Sequence, residues 1–240
     1  MSATLLRAAA AAGLLACGLD AGAVDLLPRA GLQLASYLNE APPGDYSAVL
    51  NDNDVQGYAD IREHLGQNAI GLDVLAGNRV SDQPRPLVPT MFTGVLSRLR
   101  RTHNVILVDT ADDMEHPVMK AVFDACDTLV FVSGLTADTS LPVTRGIDLL
   151  RSMGHHDLVS RSMVILNNSR SSDASDARAY LTERFSQSGA TVEFMPYDPH
   201  LAKGGIIDVQ HELNKKTRLR LFEITAALAD RYTPDADRPR

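Results

Sequence analysis

The run Asn104-Val105-Ile106-Leu107-Val108-Asp109 constrains this chain more than any other stretch. Its four consecutive apolar residues are too few for a helix and are mostly β-branched, so they predict a strand buried on both faces of a parallel sheet. The strand ends in a carboxylate. Open α/β sheets bind ligands at the carboxyl ends of their strands, so Asp109 occupies a functional position.

The flanking sequence supports this. Leu87 to Thr102 carries Val88, Met91, Phe92, Val95, Leu96 and Leu99 at spacings of three and four, one apolar helix face leading into the Asp109 strand. Further on, helices are expected at Glu115 to Ala125, Ala137 to Met153, Asp173 to Ser188 (Tyr180, Leu181 and Phe185 inward) and Lys215 to Tyr232. Strands are expected at Thr128 to Ser133, fully buried, and at Arg161 to Asn167 and Thr191 to Met195. Pro142 suits only the first turn of its helix. Before Asp109, Tyr58 to Leu65 reads as a turn or two of helix and Gly71 to Ala76 as a half-exposed strand. The alternation predicts an α/β fold, a mostly parallel sheet with helices on both faces. Residues 1–232 are expected to form one domain and 233–240 a disordered tail.

At the amino end, Ala3 to Ala12 is alanine-rich and helix-forming, Gly13 stops it, and Leu14 to Leu19 reads as a short buried strand ending in Asp20. Asp20 to Arg29 then reads as loop. Leu14-Leu15-Ala16-Cys17 also fits a lipobox, which makes an exported lipoprotein acylated at Cys17 an alternative.

With 240 residues, 45% of them hydrophobic, the chain can bury a sizeable core. A net charge of −7 argues against a broad nucleic-acid face, which needs clustered Lys and Arg. The Arg98, Arg100, Arg101 and His103 group reads as a solvated helix end. No run is long and apolar enough for an integral membrane segment. Two cysteines, Cys17 and Cys126, suit reduced core thiols and a cytoplasmic location.

Motifs exclude further chemistries. There is no G-x-S-x-G elbow, and His155-His156-Asp157 lacks a suitably spaced third metal ligand. Neither G-x-x-x-x-G-K-[ST] nor G-x-G-x-x-G follows any strand, and Lys203-Gly204-Gly205 reads as a turn.

The strand ending at Asp20, Gln67 to Ala76, Asn104 to Asp109, Asp127 to Ser133, Asp157 to Ser162 and Pro196-Tyr197-Asp198-Pro199-His200-Leu201 follow one another as in the MinD/ParA-like ATPases. The order most resembles the actinobacterial branch associated with type VII secretion. The resemblance implies a P-loop NTPase architecture of the SIMIBI or MinD-like kind, here without its first strand and Walker A loop. Either the start codon is set too far downstream or the loop is lost. It also implies ATP and Mg²⁺ as cofactors once a phosphate loop is supplied, a homodimer closed by ATP, and protein partners such as secretion-system components that read that state. Asp20 would stand near the metal and the attacking water, and Asp109 would hold Mg²⁺ through water. Asn167, Pro196 and Asp198 would contact adenine. Metal-anchoring carboxylates at adjacent strand ends are what phosphoryl transfer to water requires.

The departures point towards slow or absent hydrolysis. Asp113, preceded by Asp112, replaces the switch glycine whose N–H meets the γ-phosphate, and added carboxylates repel a phosphate. After Asp20 the second acid is out of step: Asp25 comes one residue late, and Gly22-Ala23 replaces a polar pair. The expected function is a partner-binding switch, an ATPase or degenerate ATPase, with a non-catalytic scaffold as the alternative. The missing strand would lie between those ending at Asp109 and Ser133, so either those two close up or another segment fills the slot, at a cost in stability or by association.

Overall fold

The computed structural model describes residues 21–25, 49–50, 58–67, 72–75, 88–110, 114–170, 174–203, 208–209 and 211–231. The chain divides into two compact units, parted between Ala125 and Cys126.

The first unit holds a four-stranded sheet in the order β2-β3-β1-β4, comprising β1 (Ala21–Asp25), β2 (Gly66–Gln67), β3 (Asp73–Leu75) and β4 (Val105–Asp109). β1 runs parallel to both β3 and β4, while β2 is antiparallel to β3. Its helices are α1 (Tyr58–Arg62), α2 (Pro89–Leu99) and α3 (Pro117–Ala125). Pro89 at the start of α2 uses a position whose N–H has no helical partner. Phe92, Val95, Leu96 and Leu99 form the buried stripe of α2. Val95 and Leu99 join Val49, Ile61, Leu65 and Leu75 in a core cluster, with Ile106 of β4 packed against it.

In the second unit a three-stranded parallel sheet runs β5-β6-β7, with β5 (Val130–Ser133), β6 (Met163–Asn167) and β7 (Thr191–Met195). Five helices accompany it among the described residues: α4 (Ala137–Ser152), α5 (His156–Arg161), α6 (Ser175–Ser186), α7 (Pro199–Lys203) and α8 (Lys215–Ala229). α6 packs on β6 and β7, and α8 on β7. Arg178 of α6 stacks over the Phe194 ring at 3.9 Å, whereas Arg220 of α8 pairs with Glu193. Successive strand residues point to opposite faces, so the two helices cover opposite faces of the sheet. The Nε of Arg220 also donates to the Phe194 carbonyl at 2.8 Å.

Several expectations change. The loop expected from Asp20 to Arg29 contains β1, whose Ala-Gly-Ala-Val-Asp sequence has weak strand propensity but gains ladders on both sides. β3 is buried throughout instead of half-exposed. β4 and β5, expected to be fully buried, are half-buried except for Asp109 and Ser133, whereas β6 is buried along its whole length. The reason is position: β4 ends one sheet and β5 ends the other, and each carries a ladder on one side among the described residues. Tyr180 turns outward at 60% exposure, while Leu181 and Phe185 are buried. Pro142 lies beyond the first turn of α4, on an exposed face where water can satisfy the carbonyl its ring leaves unbonded. The segment before β6 forms the short helix α5. The expected strand at Leu14 to Leu19 and the tail 233–240 lie outside the described residues.

Candidate functional site

Asp109 closes β4 and is 3% exposed. β1 runs beside it in parallel register, Ala21 level with Val105 and Asp25 level with Asp109. The carboxyl ends of two adjacent parallel strands therefore each place an aspartate at the same height. Asp20, named from the sequence, is outside the described residues, as are Asp112, Asp113 and Cys17.

In the second unit the sequence-named residues gather at the carboxyl ends of β6 and β7. Asn167 is 5% exposed and level with Met195, and the Asn168 N–H donates to the Met195 carbonyl at 3.0 Å. Pro196, buried, follows directly. Asp198 is 1% exposed and both of its oxygens are engaged within the protein. Oδ1 accepts the His200 N–H at 2.9 Å, and Oδ2 accepts the N–H and Nδ2 of Asn214 at 3.1 and 2.6 Å. Asn214 in turn caps α8 by accepting the Thr217 N–H at 2.8 Å. Burial by itself would raise the pKa of Asp198. The bonds from Asn214 and His200, helped by Thr217 and Leu201, outweigh it and hold the carboxyl below its ordinary range. Asp198 thus ties the loop after β7 to the starts of α7 and α8.

One buried charged group escaped the sequence reading. Asp73 accepts Gln67 Nε2 at 2.9 Å and faces His103 Nε2 at 3.2 Å and Arg62 Nε at 3.5 Å. It opens β3 level with Gly22, near the amino ends of the parallel strands and so at the far end of the sheet from Asp109. Nothing local in the sequence joins positions 73 and 103. Among the described residues no group of three or more His, Cys, Asp or Glu is placed to hold a metal ion, and no helix is long and apolar enough to cross a membrane.

A metal site here would be of the kind that hard cations use, one or two carboxylates supplemented by water and phosphate oxygens. Asp109 fits that donor set by its chemistry and its place at a strand end. The backbone loop that grips phosphates has no counterpart motif in the 240 residues.

No family model matches the chain. Its fold is that of the ParA/MinD P-loop ATPases. It matches the ParA family ATPase from Chlorobium tepidum TLS with a TM-score of 0.67 at 16% identity, covering 95% of this chain and 90% of that one. It also matches the MinC:MinD cell division protein complex of Aquifex aeolicus, with a TM-score of 0.67 at 18% identity, covering 96% and 92%. For cobyrinic acid a,c-diamide synthase from Mycobacterium smegmatis, bound to an ATP analogue and magnesium, the TM-score is 0.66 at 17% identity, with 98% and 92% covered. In sequence the chain is similar to the ESX-1 secretion-associated protein EspI of Mycobacterium tuberculosis strain H37Rv, 28% identical over 221 residues. That alignment takes in 91% of this chain and 32% of EspI, so the chain spans about a third of the length of the curated relative.

Proposed function

We propose that the chain is a MinD/ParA-like partner-binding switch serving an ESX-type, that is type VII, secretion system from the cytoplasm. In this reading residues 1–232 act as one domain followed by a short tail. In the first unit Asp109 holds Mg²⁺ through water with a second acid beside it; in the second, Asn167 and Pro196 take the adenine-contacting role that the family resemblance implies, with Asp198 fixing their loop. The observation that carries the reading is the burial of Asp109 at the carboxyl end of β4, with β1 in parallel register beside it. Bound Mg-ATP would supply the charge that a closed homodimer and its partners recognise.

A non-catalytic scaffold is the second reading. It is favoured by Asp113, which replaces the glycine that would meet a γ-phosphate.

Calorimetric titration of the chain with Mg-ATP and with metal-free ATP, for wild type and Asp109→Asn, tests both readings. The switch requires binding that Mg²⁺ strengthens and a loss of that Mg²⁺ dependence in the variant. Absence of nucleotide binding, together with capture of ESX components regardless of added ATP, establishes the scaffold. Absence of both overturns the proposal.

A further inference from the structure

α8 is two-sided. Thr217, Leu221, Ile224 and Thr225 are buried. On the opposite side Leu219 and Phe222, each 56% exposed, stand three residues apart and so beside each other, one turn along the helix. Lys215, Lys216 and Arg218 are exposed just ahead of them.

The cations are placed against the helix's own interest. Lys215 and Lys216 occupy the first turn, which contains no acid, and there they oppose the helix dipole. They are not balanced locally either. Arg220 takes up Glu193 and Glu223, and among the described residues no ion pair engages Lys215 or Lys216. A chain with a net charge of −7 therefore presents a small, positive, apolar-centred patch on one helix.

We infer that this face of α8 docks an acidic, amphipathic helical segment of a partner protein. The partner's Leu or Phe side chains would cover Leu219 and Phe222, and its Asp or Glu residues would answer the lysines. Duplex DNA fits less well, because two exposed apolar side chains at the centre gain nothing from phosphate and the overall negative charge repels a polyanion. A lipid surface fits less well too, because the broad apolar face of α8 is already buried and two side chains insert too little area. The surface does not include Asp109, so loss of Mg-ATP binding in Asp109→Asn and loss of docking are separate outcomes.

The test uses a fluorescent synthetic peptide of about four helical turns, with Leu and Phe at helical spacing flanked by Glu, and a scrambled peptide of the same composition. Anisotropy is expected to show micromolar binding of the first peptide to the chain. Binding should weaken about tenfold in Phe222→Ser and in Lys215→Glu/Lys216→Glu, as for a central contact, and stay unchanged in Tyr180→Ser, an exposed residue on α6. Leu219→Ser should repeat the loss if Phe222→Ser alters the circular dichroism spectrum. No binding of the patterned peptide, equal binding of the scrambled one, or binding only to short duplex DNA or to phosphatidylglycerol vesicles would each overturn the inference.

Discussion

Oδ2 of Asp198 accepts two hydrogen bonds from Asn214, one from its backbone and one from its side chain, so a single buried carboxylate holds the residue that caps α8. Replacing Asp198 by Ala strands these buried donors and is expected to cost about 3 kcal/mol, a charged-acceptor loss with several partners. Asn214→Ala, which removes the cap and one donor, should cost about 1 kcal/mol. Urea unfolding of the two variants and the double variant measures both, and the double loss should fall short of their sum.

The same carboxylate predicts a pH dependence. Its folded value lies below the ordinary range, so the unfolded chain binds its proton more readily and this contribution is complete at neutral pH. It fades as the pH falls below about 4 and through the lowered folded value. Between neutral pH and about pH 3, wild type should therefore lose more stability than Asp198→Asn. Equal losses in the two proteins would refute the role assigned to the carboxylate.

Asp73 and His103 form a second buried pair, with side chains 4% and 1% exposed. Removing one partner leaves the other without its counterpart in a place water hardly reaches. Asp73→Ala should cost about 3 kcal/mol, while Asp73→Leu combined with His103→Leu should come within about 1–2 kcal/mol of wild type. Thermal and urea melts of the single and double variants decide this. A double variant as weak as the sum of the singles would show that the two side chains act independently and would refute the pairing.

Gly134 sits under the side chain of Thr139. A methyl group at Gly134 would lie 2.5 Å from Thr139 Oγ1 and 3.0 Å from its Cβ, and that hydroxyl accepts the Thr136 N–H at the start of α4 at 3.2 Å. Gly134→Ala is therefore expected to cost about 1–3 kcal/mol by overpacking. Adding Thr139→Ala should recover part of the loss, and a strictly additive pair would rule out the contact as its cause.

The two candidate second acids can be separated. Asp20 is assigned by family resemblance, while Asp25 is the residue that β1 brings level with Asp109. Mg²⁺ dependence of ATP binding, measured for Asp20→Asn and Asp25→Asn, should collapse in only one of them. If the Asp25 variant is the one affected, the second carboxylate moves five positions along the sequence from where the motif places it.

Much of the fold was legible because its signals are local. The strand ending at Asp109, the Thr191 to Met195 strand and the stripe on α2 all announce themselves by apolar pattern and neighbouring breakers, and they stand where the pattern puts them. β1 was missed because glycine and alanine carry no pattern, and only its pairing with two neighbours makes it a strand. The same limit hid Asp73, whose importance depends on a histidine thirty positions away. Asn167, Pro196 and Asp198, named from the family resemblance, lie together at the ends of β6 and β7, yet nothing local in the sequence hints that Asp198 is used up in holding helices.

Arg220 has a consequence at the rim of the second sheet. The Thr191 N–H and the Met195 carbonyl are spent on β6 and its continuation. By the alternation of a parallel ladder the Phe194 carbonyl therefore faces away from β6, and Arg220 occupies it. An incoming strand would have to evict a guanidinium that is also held by two glutamates. Among the described residues β7 ends the sheet on that flank, and Arg220 is a stopper there against strand addition.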